Sequence, residues 1–430
     1  MKRLNRFIIV YYVVLLLAMV LKQGNTEPPV LLRICFLIAV VLPTVINRNI
    51  SYPAIITMFT TLTLYGFSYS YMPYTYNLYV LLTILITILF LVTKKKSSKI
   101  PIFFVLFSLY VFIIDIITGV ELSNARLFED CLYSLLIIIC FYNITESDED
   151  NHIDQISWCF IIVSILFSAV FLINRDAFTE YYDYEKNFER TGWTDPNYFG
   201  TILGIGTLVA MLKLFNEIRM PVYERIICIL TIIITIPVLL LNASRGALLS
   251  VAIAGALVII YTRIKFGYKV LLFFGIVLAL LFLYNNQYMD LLMYRVTNDN
   301  YKDGSGRVAI WIDKLDNYVN GDFFNLLFGY GYRRGLSISG SFIGFHNDFL
   351  AFLVEYGIVG VVSFVYMLVY PIIKTPRNSK QFPSVLCIMV YLIITCMTIE
   401  PITSGRLPYY VFYLQALLLM KKSKSISAVL

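Results

Sequence analysis

Residues 226–241 read IICILTIIITIPVLLL and residues 247–261 read ALLSVAIAGALVIIY, two uncharged runs separated only by NASRG. A helix rising 1.5 Å per residue crosses a hydrocarbon core of roughly 30 Å in a run of about 15 to 20 residues, and only helices or closed barrels satisfy the backbone there. Working outward, similar runs lie near 7–21, 30–46, 54–70, 78–92, 102–118, 127–142, 156–173, 198–215, 270–284, 348–370, 385–398 and 408–420. The chain is thus expected to be an all-α polytopic membrane protein with about 12–14 transmembrane helices and two sizeable extracytoplasmic loops. Composition agrees: of 430 residues, 59% are hydrophobic, 16% aromatic and only 14% charged, against about 25% charged in soluble proteins. Mean hydropathy is +0.77. A soluble enzyme, a disordered chain and a transmembrane barrel are excluded.

The net charge of +7 reports topology, because the basic residues occupy short loops between runs; no nucleic-acid partner is expected. With Lys2, Arg3 and Arg6 in the cytoplasm, Lys94 to Lys96, Arg219 and Arg225, Arg263 to Lys269, Lys374 to Lys380 and Lys421 to Lys424 fall there too. The acidic loop Asn143 to Gln155 has no Lys or Arg and stays inside on span count alone. The seven cysteines show neither CxxC pairs nor metal-ligand spacing and read as apolar packing residues. Met1 to Arg6 and the run behind it read as a first span, because no cleavage site follows.

This topology divides the chain into an N-terminal multi-span region (1–173), a central region (174–370) and a C-terminal two-span region (371–430). The central region holds two long external segments, 174–197 and 285–345, both rich in Tyr, Phe and Asp. Loops of that length in a compact protein usually carry function. Within the second, Ser305 can cap an amphipathic helix from Arg307 to Val319, with Val308, Trp311, Ile312, Leu315 and Val319 at helical spacing. Such a helix suits the membrane surface.

Arg190, Arg245, Arg307, Arg333 and Arg334 stand on the outside beside glycines or at span edges, against the positive-inside trend. Guanidinium groups bind phosphate bidentately and keep their charge near lipid, so together they suit an anionic head group; pairing with loop aspartates is the structural alternative. Arg245 sits at the membrane boundary, where a lipid-linked phosphate would lie. Of the two histidines, His152 reads as a solvated loop residue. His346 opens the run HNDFLAFLVEYG at the external mouth, where an imidazole can serve as general base or simply cap the helix. Glu355, Asp115 and Arg33 are ionisable groups inside spans, where a partner or a task is expected.

Arg190 to Asn197 (RTGWTDPN), Ser244-Arg245-Gly246, Gly306-Arg307 with Trp311, and His346-Asn347 followed by Leu350, Glu355 and Gly357 occur in this order. In this the chain resembles the O-antigen ligase and O-antigen polymerase (Wzy-type) superfamily of bacterial polysaccharide assembly, over roughly its second half. The resemblance implies a GT-C-like, inverting, metal-independent membrane glycosyltransferase without cofactor, acting on undecaprenyl-diphosphate-linked oligosaccharide at the outer face of the bacterial cytoplasmic (inner) membrane. It implies His346 as the base and Arg245 and Arg307 on the diphosphate, with Arg190, Arg334, Trp311 and Asn347 as further contacts to diphosphate or glycan. Polymerase and ligase are both open within the superfamily, with flippase and chain-length regulator proteins as candidate partners. A polysaccharide flippase or transporter is the reading from another class; charges gathered at one face, not at the midplane, favour the enzyme.

Overall fold

The computed structural model describes residues 102–120, 149–173, 196–216, 220–242, 244–261, 307–332, 344–403 and 407–427, with isolated positions between 267 and 285. Among them are ten helices and no strand: α1 (Ile102–Ile117), α2 (Glu149–Ile173), α3 (Pro196–Asn216), α4 (Val222–Leu241), α5 (Arg245–Tyr261), α6 (Arg307–Val319), α7 (Phe323–Phe328), α8 (Asp348–Lys374), α9 (Phe382–Thr398) and α10 (Leu407–Ser427). The all-α membrane architecture expected from the apolar runs is what these residues form. Among the described residues, three helices are long and apolar enough to cross a membrane: Asn197–Asn216, Val222–Leu241 and Asp348–Lys374. The runs before Ile102, those at 127–142 and 270–284, Arg33, and the calls on Arg190, Arg333, Arg334 and Ser305 lie outside the described residues.

Burial separates lipid-facing helices from central ones. Val222, Ile226, Leu230 and Ile233 make an exposed apolar stripe along α4, the pattern of a helix whose outer face meets lipid instead of water. Central α3 packs on α2, α4 and α5, and α9 packs on α5, α8 and α10. Close approach at α3 depends on small residues, for a Cβ on Gly206 would collide with Ser164, and one on Gly204 with the Tyr391 hydroxyl. Polar side chains are matched across these interfaces. Tyr391 donates to the Thr201 carbonyl at 2.6 Å, and the Thr207 and Thr235 hydroxyls meet at 2.6 Å.

Helix α8 is broken inside the membrane at Gly357 (φ 67, ψ −168). The break frees backbone carbonyls that lipid could not satisfy, and the stretch after α7 supplies the donors. Tyr330 N–H donates to the Val354 carbonyl at 3.1 Å and Gly331 N–H to that of Glu355 at 2.8 Å, while the Tyr110 hydroxyl donates to Tyr356 O at 2.6 Å. Gly329 (φ 83) and Gly357 lie directly against the opposing backbone at Glu355 and Leu327, where no Cβ fits. The Gly329-Tyr330-Gly331-Tyr332 stretch is therefore plugged into the gap in α8. Asp115 of α1 holds the far side, accepting from Tyr332 N–H at 2.9 Å and from the Tyr356 hydroxyl at 3.3 Å. Neutral donors thus partner the buried Asp115.

The two ends of the bundle differ. At one end Lys213 pairs with Asp154, and Asn216 donates to the Ser384 hydroxyl at 3.1 Å. The acidic segment read as a loop up to Gln155 is helical from Glu149, so His152 lies within α2. Its Asp154 shares that end with Lys213, as the charge count requires. The sequence motifs gather at the opposite end.

Candidate functional site

Four helix N-termini ring the short segment Thr398 to Thr403, at the C-terminal end of α9. At α3, Asn197 accepts from the Ser244 hydroxyl at 3.1 Å, and the Tyr198 hydroxyl donates to the Glu400 carbonyl at 3.2 Å. Gly200 leaves room for this contact, because a Cβ there would come within 2.7 Å of Asn242. At α5, Gly246 faces Thr398, whose hydroxyl would be 2.5 Å from any Cβ. At α6, Arg307 Nη1 donates to the Thr398 carbonyl at 2.7 Å. At α8, buried Asp348 accepts from Ile402 N–H at 3.0 Å, Thr403 N–H at 2.9 Å and the Thr403 hydroxyl at 2.6 Å. Tyr198, Gly246, Arg307 and Asp348, each within or beside one of the sequence motifs and far apart in the chain, thus meet around one strap.

Arg245 and Arg307 are the first residues of α5 and α6, and both are half-buried. A helix N-terminus carries about half a positive charge, which disfavours a cation and favours an anion. Two arginines at two such ends concentrate positive potential at one place. With Nη1 fixed on a backbone carbonyl, the guanidinium plane of Arg307 is oriented.

His346 adjoins this cluster and is the one non-glycine residue with positive φ, at 51°, among the described residues. The left-handed region costs a non-glycine residue about 1 kcal/mol and persists only where surrounding contacts enforce it. Those contacts are visible: the Trp311 indole Nε1–H donates to the Phe345 carbonyl at 2.6 Å, and Asn347 Oδ1 accepts from Phe349 and Leu350 N–H at 3.0 and 3.3 Å. Asn347 is the N-cap of α8, so His346 is not there as a cap. Trp311 and Asn347, expected at the substrate, have these polar atoms engaged in shaping the backbone on either side of His346.

Helix α6 is oriented opposite to a soluble amphipathic helix. Val308, Ile312 and Val319 are exposed, with Phe323 and Phe324 of α7, while Lys314 and Tyr318 are buried. The inward line is Arg307, Trp311, Lys314 and Tyr318, and the apolar edge faces out as a surface-lying helix requires. Sequence reading missed Lys314, Thr398 and Glu400. Lys314 looks like an ordinary solvated lysine, and Glu400 lies in MTIEPITSG (residues 397–405), whose only signal is a carboxylate at the end of a span. Glu355, 4% exposed, faces Lys314 from α8. Among the described residues no cluster of His, Cys, Asp or Glu could hold a metal ion.

One end of the helical bundle thus carries Arg245 and Arg307 at helix starts and the strained turn at His346. The O-antigen ligase family model matches residues 230–365, from within α4 to within α8, and over this segment the chain is similar to that family. The matched segment contains Arg245, Arg307, Trp311 and His346, whereas Asn197 and the Thr398 to Thr403 strap lie outside it. No curated protein matches the chain.

Proposed function

We propose that this protein is a polysaccharide polymerase that joins undecaprenyl-diphosphate-linked repeat units at the outer face of the cytoplasmic membrane, extending an O-antigen, capsule or exopolysaccharide. The observation that supports it is the meeting of Arg245, Arg307 and His346 around the Thr398 to Thr403 strap. In the reaction the acceptor hydroxyl oxygen bonds to the donor's anomeric carbon while the bond from that carbon to the diphosphate oxygen breaks. The hydroxyl proton passes to His346, and undecaprenyl diphosphate leaves carrying the negative charge. A single displacement of this kind inverts the anomeric centre. Arg245 and Arg307 stabilise the charge as it develops on the leaving group, which is where fixed positive charge accelerates a reaction most. Exposed aromatics on α7, Phe323 and Phe324, suit the apolar faces of pyranose rings.

The family model carries the description O-antigen ligase, and a ligase delivering finished glycan to a lipid or protein acceptor would use the same donor residues. The two readings differ in the acceptor alone. Purified enzyme given only lipid-linked repeat units tests this: a ladder of lengthening lipid-linked glycan supports the polymerase. Product that forms only after a second lipid or protein acceptor is added overturns it in favour of the ligase.

A further inference from the structure

We propose that Lys314 and Glu400 form a charge pair that positions His346 and sets the potential at its imidazole, acting on proton transfer more than on donor binding. This rests on the reading of His346 as the base. Lys314 is 1% exposed, and its Nζ lies 4.1 Å from the ring centroid of Phe345, the residue before His346. On the other side of the same turn, Glu400 Oε2 would be 2.8 Å from a Cβ on Gly344, and the Glu400 backbone is tied to Tyr198. The turn 344–346 is thus flanked by the Glu400 carboxylate at Gly344 and by Lys314 and Trp311 at Phe345.

Packing alone does not call for charge here. A buried ion pair is often replaceable by apolar residues of similar volume at little loss of stability, so a methionine at 314 would serve a purely structural purpose. Burial pulls the Lys314 ammonium below the usual lysine range, and Glu400, Glu355 and Asp313, in that order, oppose the fall. Among the described residues, the charged groups on the elements around the turn are Arg307, Asp313 and Lys314 from α6, Asp348 and Glu355 from α8, Glu400 from the strap and Arg245 from α5. Of these, Lys314 lies against the Phe345 ring and the Glu400 carboxylate against Gly344.

The test is the pH profile of kcat and KM for the full-length enzyme on lipid-linked repeat units, for wild type, Lys314→Met, Glu400→Gln and the double variant. A base works unprotonated, so its titration sets the acid limb of kcat. Removing the Lys314 cation favours imidazolium and moves that limb to higher pH; removing the Glu400 anion moves it to lower pH. A shift of about half a unit to one unit each way is expected for a unit charge about 6 Å off at an effective dielectric of roughly 40 to 80. The double variant should return near wild type, with KM for the donor changed less than about threefold throughout. Limbs that stay put, or shift in the same direction while KM rises, overturn the proposal. Should Lys314→Met fail to insert, the direction of the Glu400→Gln shift decides alone. His346→Ala run alongside separates the two levels: an active His346→Ala removes the base assignment itself, whereas an inactive one with unshifted limbs removes only the Lys314–Glu400 pair.

Discussion

At the scale of the residue, the proposed chemistry assigns roles to three side chains whose replacements have distinct signatures. His346→Ala should abolish chain extension while lipid-linked repeat units accumulate, because a positioned base contributes about 10²- to 10⁴-fold to deprotonating a sugar hydroxyl. Near wild-type polymerisation by a folded His346→Ala protein would move the role elsewhere. Arg245→Lys and Arg307→Lys should each insert normally yet lose roughly 10²-fold in rate, since an ammonium does not reproduce an oriented, bidentate guanidinium at a developing charge. Long-chain product at full rate from both would favour structural ion pairing. Positive charge supplied by arginine predicts that EDTA leaves the rate unchanged; a loss restored by a divalent cation would contradict that.

At the scale of the element, the broken helix α8 and the glycine stretch plugged into it form one unit. Gly357 and Gly329 both have positive φ and lie against the opposing backbone. An alanine at either place adds a left-handed penalty of about 1 kcal/mol to a steric collision. Gly357→Ala and Gly329→Ala should therefore each lower the melting temperature in detergent by several degrees and reduce activity, because the unit leads into the turn before His346. Gly255→Ala is the matched control: its Cβ would meet only Met211, at 3.4 Å, an ordinary contact. Equal melting temperatures for all three variants would show that the plug is not tightly packed.

At the scale of the whole molecule, the bundle has two chemically different ends, and the proposed reaction requires the motif end to face outward. Asp322, which caps α7, and Lys380, between α8 and α9, are both exposed and lie on opposite sides by the charge count. In a cysteine-free background, Asp322→Cys should react with an impermeant maleimide in intact cells, and Lys380→Cys only after permeabilisation. The reverse pattern would remove the active-site proposal together with the topology. A reporter at Asp303, in the segment that the charge distribution predicts to be external, offers an independent check.

Much of this protein is determined by its sequence alone. Apolar runs long enough to cross a bilayer dictate helices because lipid offers the backbone no other partner, and the Lys and Arg asymmetry assigns each end to a side. The residue types at the site, Arg245, Arg307 and His346, are legible for the same reason: charge is costly at a membrane boundary and is rarely placed there without use. Only the tertiary structure decided what assembles them. Thr398 and Glu400 acquire their meaning from four helix ends meeting on one strap, a long-range arrangement without local periodicity. Gly357 reads as a tolerable helical glycine until the Tyr330 and Gly331 amides are seen filling the gap. Lys314 reads as solvated until α6 is found with its apolar edge turned outward, since an amphipathic pattern specifies two faces but not which of them meets the protein.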